Sequence, residues 1–150
     1  MKIKILMVCL GNICRSPLAE GILASKLDSK KFQVDSCGTS NYHIGEKPDT
    51  RSIETAKKHG IDITNQRAAQ FKVKDFDTYD FIYPMDQSNY ENIIKLARNE
   101  NDKKKVKLIL SELELNENLD VPDPYYGGKQ GFETVYQMLN NACDRIITKL

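Results

Sequence analysis

Apolar side chains run almost unbroken from Lys2 to Cys9, the pattern of a strand buried on both faces. Ser16 before Pro17 marks a helix start, a hydroxyl cap and then a proline at the first helical position, and Leu18, Ile22 and Leu27 give that helix an apolar face. Phe32, Val34 and Ser36 alternate with polar neighbours as a second strand, which Gly38 ends. Asp49 caps a helix through Ile53 and Ala56 to about His59, closed by Gly60. Tyr79 to Met85 reads as a third strand weakened by Pro84, and Asp86 opens a helix carrying Tyr90, Ile93, Ile94 and Ala97. Val106 to Leu110 reads as a fourth strand, after a solvated loop at Lys103 to Lys105. From Phe132 to Leu150 apolar residues recur at helical spacing.

Strand and helix thus alternate four times. Right-handed crossovers turn that order into a parallel sheet covered on both faces, with ligands expected where the strands end at their carboxyl edge. The expected class is α/β, with residues 1–150 forming a single domain.

Composition narrows the function. The 22 basic and 21 acidic residues leave a formal charge of +1 and a pI of 7.6, which argues against broad nucleic-acid binding and makes any anion site local. Hydrophobic residues are 40% and charged ones 29%, too apolar for a disordered chain and too polar for a membrane protein. No apolar run is long enough to span a bilayer, and the opening residues read as strand rather than leader, so a cytoplasmic location is expected. In that reducing compartment Cys9, Cys14, Cys37 and Cys143 should be thiols.

The chemistry collects where the first strand ends, in Cys9-Leu10-Gly11-Asn12-Ile13-Cys14-Arg15-Ser16-Pro17. A loop of this length between a strand and a helix amino terminus can turn its N–H groups onto one anion. Gly11 and Asn12 tolerate the left-handed backbone such a curl requires. Arg15 adds a planar fork that matches two phosphate oxygens. The same donors favour a thiolate at Cys9, so the loop that binds the anion also makes a nucleophile. A thiolate attacking a phosphate ester needs a proton donor for the leaving oxygen. Asp123, in Pro122-Asp123-Pro124-Tyr125-Tyr126-Gly127-Gly128 before the last helix, is the candidate; taken alone, that stretch also reads as an ordinary turn.

These segments together resemble the low molecular weight protein tyrosine phosphatases. The resemblance rests on VCLGNICRSPLAE at 8–20, VDSCGTSNYHIGEKPDTR at 34–51, FDTYDFIYPMDQSN at 76–89 and DPYYGG with FETVY at 123–136. It implies a three-layer αβα sandwich around a four-stranded parallel sheet in the order 2-1-3-4. It implies Cys9 as the nucleophile that becomes phosphocysteine, Arg15 as the phosphoryl grip, Ser16 as a hydroxyl donor to the thiolate, and Asp123 as acid and then base. Leu10, Gly11, Asn12, Ile13, Cys14, Arg15 and Ser16 would form the phosphate-binding loop, with Asn12 and Ser36 supporting its shape. Most members add a histidine to that support. Gln66 occupies the matching stretch here, and because glutamine both donates and accepts it is expected to complete the network.

By the same resemblance Leu10, Ile13, Tyr42, Tyr125 and Tyr126 shape the substrate slot, although Tyr42 reads equally as a surface tyrosine. Cys14 has two readings, a redox guard that forms a reversible disulfide with Cys9, or a small residue filling the loop. Cys37 and Cys143 read as packing residues, and His43 and His59 as unremarkable. The expected activity is hydrolysis of phosphotyrosine in proteins and of small aryl phosphates, releasing inorganic phosphate, by a monomer with no cofactor, metal, nucleic-acid or membrane partner. An arsenate reductase of the same fold would need further redox cysteines after the third strand, and 80–100 contains none. A silent phosphate-binding scaffold would have no need of the intact set Cys9, Arg15, Ser16 and Asp123.

Overall fold

Strand β1 (Ile3–Cys9) lies in the middle of the sheet, between β2 (Phe32–Gly38) and β3 (Phe81–Pro84), all parallel. A central strand must be apolar on both sides, and the alternation of β1 shows how this is met. Ile5, Met7 and Cys9 join one hydrophobic cluster, while Leu6 and Val8 join the other. All five are at most 2% exposed, a burial worth about 2 kcal/mol for each of the larger side chains. The computed structural model describes residues 1–114 and 118–150, without the side chains of Tyr126 and Lys129.

Helices α1 (Arg15–Lys26), α2 (Thr50–Lys58) and α6 (Lys129–Ile147) cover the first face. Leu18, Ile22 and Leu23 of α1 meet Val135, Leu139, Cys143 and Ile146 of α6 in one core. The short α3 (Asp75–Thr78), through Phe76, and α4 (Gln87–Ile94), through Ile93, cover the second face. The three-layer αβα arrangement expected from the sequence is therefore present, and Cys37 and Cys143 are core residues as expected.

Three local expectations are corrected. Among the described residues the sheet has three strands, not four, in the order β2-β1-β3. Val106 makes only an isolated parallel bridge to Ile82, on the side of β3 where a fourth strand would lie, and Ile109–Leu113 coil into a 3₁₀ turn. A strand in that position needs a continuous apolar run, and Lys105 and Lys107 flank the single apolar Val106. Lys103 belongs to a short helix, α5 (Glu100–Lys104), which Asn99 caps by accepting from the Asp102 N–H. Helix α1 begins at Arg15 after Cys14, without a side-chain cap, so Ser16 lies inside the helix. Its hydroxyl has other partners, described below.

Asp49 and Asp86 cap α2 and α4 as the sequence suggests, accepting from the N–H groups of Arg51 and Asn89. Both caps stand at the carboxyl edge of the sheet, beside the loop that follows β1. The end of β2 fits against that same loop. A Cβ on Gly38 would lie 2.6 Å from the Leu10 carbonyl oxygen and 3.1 Å from the Asn12 nitrogen, so only glycine lets the loop press against the strand.

Candidate active site

The loop from Cys9 to Arg15 is held from outside by its carbonyls. The Cys9 oxygen accepts from the Thr39 N–H, the Leu10 oxygen from Ser40 N–H and hydroxyl, the Ile13 oxygen from the Asp49 N–H, and the Cys14 oxygen from the Ser52 hydroxyl. In a trans peptide the N–H of the next residue points the opposite way from the carbonyl. Anchoring the carbonyls outward therefore turns the N–H groups that follow them inward, toward a common centre where an anion can sit.

Cys9 Sγ lies at the floor of this cup, 2% exposed. The Asn12 backbone N–H reaches it at 3.3 Å, and the Ser16 hydroxyl is 3.0 Å away. Asn12 adopts φ 58°, one of two non-glycine residues with positive φ among the described residues, and that turn aims its N–H at the sulfur. Its side chain secures the conformation at three points. Nδ2 donates to Ser16 Oγ at 2.7 Å and to Ser36 Oγ at 3.0 Å, and Oδ1 accepts from the Ala69 N–H at 3.0 Å.

This network is complete without Gln66, contrary to the sequence expectation. Gln66 Nε2 donates instead to the Pro17 carbonyl at 3.1 Å, and Oε1 is buried with no partner. Gln66 is drawn away by the Pro17 carbonyl of α1, while the Ala69 N–H serves Asn12 Oδ1.

Arg15 is 3% exposed. Nη1 donates to Asp86 Oδ2 at 2.6 Å and to the Val121 carbonyl at 3.0 Å, so the Asp that caps α4 also fixes the guanidinium. Burial opposes the charge, but the surrounding Cys9, Asp86 and Asp123 more than offset it and hold the arginine protonated. Asp123 stands at the mouth, with Oδ2 3.7 Å from Arg15 Nη2. Its other oxygen accepts from the Tyr125 N–H at 3.0 Å, which fixes the orientation of the carboxyl.

The cleft above the loop has a volume of about 250 Å³ and brings together Cys9, Leu10, Gly11, Ile13, Cys14, Arg15, Tyr42, His43, Asp123 and Tyr125. Leu10, Tyr42 and Tyr125 present exposed apolar surface around its rim. Tyr126 follows in the same turn, and its side chain lies outside the described residues. Cys14 is buried in the loop, and burial, with Asp49 and Cys9 nearby, pushes its thiol up to about 12.

Several residues of the site were not singled out in the sequence. His43 lines the cleft, packs against Gly11 and is held by Glu46 at 2.8 Å, which corrects its reading as unremarkable. Its place next to Tyr42 was the available signal. Asp86 was read only as a helix cap, although it follows the strand beside β1. Arg51 chelates Asp49, donates to the Gly127 carbonyl at 3.3 Å, and lies over the rings of Tyr125 and Phe132. It thereby ties the wall of the loop to the turn that carries Asp123, a link no local pattern reveals.

A buried thiol at the floor of inward-turned N–H groups, with a guanidinium and a carboxyl in the same cleft, is an arrangement suited to transfer of a phosphoryl group through sulfur. Comparison with known proteins gives the family. Residues 4–150 match the family model described as low molecular weight phosphotyrosine protein phosphatase. A relative from Synechocystis sp., named for the same family, is 45% identical over 98% of this chain and 96% of its own. The low molecular weight phosphotyrosine protein phosphatase of Homo sapiens is 40% identical, with 97% and 94% covered. Among solved structures, a protein tyrosine phosphatase from Entamoeba histolytica with Hepes in the active site superposes with a TM-score of 0.91 at 35% identity, covering 99% of this chain and 96% of that one.

Proposed function

Because this chain belongs to the low molecular weight phosphotyrosine protein phosphatase family, we propose that its cleft hydrolyses phosphotyrosine in proteins by the following steps. The phosphoryl group settles on the inward N–H groups of residues 10–16 with Arg15 gripping its oxygens. Cys9 Sγ attacks phosphorus from the floor, opposite the phenolic oxygen. Asp123, at the mouth, gives its proton to that departing oxygen. The S–P bond so formed is then broken by water. Asp123, now a carboxylate, takes a proton from the water, inorganic phosphate leaves, and the Ser16 hydroxyl stabilises the returning thiolate.

The observation that carries this reading is the placing of Cys9 Sγ under two donors while Asp123 Oδ2 stands 3.7 Å from the buried Arg15 at the opening. Leu10, Tyr42 and Tyr125 provide the walls for the aryl ring. Asn12 and Ser36 keep the loop in shape, and Cys14 guards Cys9 by forming a disulfide with it on oxidation. Every step is supplied by side chains of this chain, so the reading calls for no metal or cofactor. Residues 1–150 act as one catalytic domain, as a monomer in the cytosol, a setting supported by four buried free cysteines. Among the described residues no helix is long and apolar enough to cross a membrane.

The test is hydrolysis of phosphotyrosine, phosphoserine and, with a thiol reductant, arsenate, side by side in the presence of a chelator. Phosphotyrosine turnover alone is the expected result. Arsenate reduction, or turnover that the chelator stops, would overturn the reading.

A further inference from the structure

Glu20 of α1 has no part in the steps above, yet it sits at the end of a hydrogen-bond chain that leads to the nucleophile. Its Oε1 accepts from the Ser36 hydroxyl at 2.6 Å. Ser36 Oγ accepts from Asn12 Nδ2, Asn12 donates also to Ser16 Oγ, and Ser16 Oγ lies 3.0 Å from Cys9 Sγ.

The direction of each proton along this chain follows from counting donors. A serine hydroxyl has one proton. Asn12 Nδ2 already points a hydrogen at Ser36 Oγ, so the Ser36 proton must go elsewhere, and Glu20 is its acceptor. Remove that acceptor, and the Ser36 hydroxyl loses the bond that fixes its rotamer, so its oxygen is no longer held in place to accept from Nδ2. The same logic holds at Ser16. While Asn12 donates to its oxygen, its proton is available to Cys9 Sγ, with the Cys37 carbonyl at 3.3 Å as the competing acceptor. Asn12 is also the residue whose left-handed backbone aims an N–H at the sulfur.

We infer that Glu20 is a positioning residue of the phosphatase, fixing the Ser36 hydroxyl so that Asn12, and through it Ser16, direct their hydrogens onto Cys9. This inference rests on the reading of Cys9 as nucleophile. It assigns to Glu20 the supporting role that the sequence suggested for Gln66. The surroundings of Glu20 agree with a bond held for orientation rather than for charge pairing. Asp35 on β2 is a further acid nearby, and across the groove at its back stand Asp62 and Gln66, with no lysine or arginine among the groove's residues. Burial, added to by Asp35 and opposed by the Ser36 bond, raises the carboxyl to about 7.

The experiment compares wild type with Glu20→Leu, Glu20→Gln, Ser36→Ala and the double variant Glu20→Leu/Ser36→Ala. Two quantities are read: the rate of Cys9 alkylation by iodoacetamide without substrate, followed by peptide mass spectrometry, and kcat and KM for p-nitrophenyl phosphate. Glu20→Leu should slow alkylation of Cys9 and lower kcat roughly tenfold, the worth of one well-placed hydrogen bond, with KM changed much less. Glu20→Gln, which retains an acceptor oxygen, should recover most of that loss. The double variant should be no slower than Ser36→Ala alone, because both act through one bond. If Glu20→Leu does not fold, Glu20→Asp, one methylene short of Ser36, carries the same expectation.

Wild-type alkylation and kcat in a Glu20→Leu protein whose melting temperature alone has dropped would overturn the inference, as would losses that multiply in the double variant. Failure of the phosphatase reading itself shows differently, as a wild-type enzyme that does not turn over aryl phosphate at all.

Discussion

Asp123 Oδ2 faces Arg15 Nη2 across 3.7 Å at the mouth of the cleft, while the opposite oxygen of the same carboxyl is held by the Tyr125 N–H. The proposed acid is thus oriented by backbone and aimed by charge at the opening of the cleft. Replacing it with asparagine keeps the shape and removes the proton. Turnover of phosphotyrosine should fall by about 10²- to 10⁴-fold. A p-nitrophenyl ester, whose leaving group needs little protonation, should lose far less. kcat/KM on the two esters, which reports the steps up to departure of the phenol and not the later hydrolysis they share, checks this, and an equal loss on both would remove Asp123 from the role of acid.

Arg51 joins the loop wall at Asp49 to the acid-bearing turn at Gly127, with its guanidinium 5.4 Å from the Tyr125 ring centroid and 4.7 Å from that of Phe132. Arg51→Leu retains bulk but loses these bonds. The expected result is a fall in kcat of up to roughly tenfold, with a lower melting temperature. A double variant with Asp123→Asn should add little further loss of rate, since Arg51 acts by placing that acid.

Glu112 gives the pH dependence of stability a definite sign. It is buried, which opposes its charge, but Lys107, Lys149 and the Tyr83 hydroxyl bond to it and bring its carboxyl down to about 2. Its unfolded value is near the usual 4.5. The folded state therefore holds fewer protons between these values, and the stabilisation is full above about 4.5 and lost as pH falls toward 2. Chemical denaturation of wild type and Glu112→Gln should show a gap at pH 6 that narrows steadily below about pH 4.5.

Cys14 lies in the same cleft as Cys9, with its thiol pushed up to about 12. In the proposed role of resolving an oxidised Cys9 it would attack as thiolate, so the disulfide should form faster as pH rises from 6 to 9. Peroxide treatment followed by mass spectrometry should find Cys9 linked to Cys14 in wild type, and sulfinic acid at Cys9 in Cys14→Ser. Sulfinic acid in both would leave Cys14 as loop filling.

What the sequence made legible was local. The β1 pattern, the Asp49 and Asp86 caps and the order of residues from Cys9 to Ser16 each carry their signal within a few positions. The fourth strand was misread because four apolar residues in Val106 to Leu110 look like a strand until Lys107 is counted against a site buried on both faces. The links among distant segments were not legible. Asp86 to Arg15, Arg51 to Gly127 and Glu20 to Ser36 join elements that meet only after the sheet has formed. Gln66 shows the opposite error, a side chain with the right chemistry assigned to a network that it leaves for the Pro17 carbonyl, its place at Asn12 taken by the Ala69 N–H.

The central claim is a covalent bond between Cys9 and phosphorus, and phosphorus NMR of the enzyme during turnover of p-nitrophenyl phosphate tests it most directly. Asp123→Asn should help the intermediate accumulate, since the base for its hydrolysis is gone. An S-phosphate signal that maps to Cys9 and is lost in Cys9→Ser is the expected result. Release of p-nitrophenolate by the Cys9→Ser protein at the wild-type rate, or phosphate carried on another residue, would contradict it.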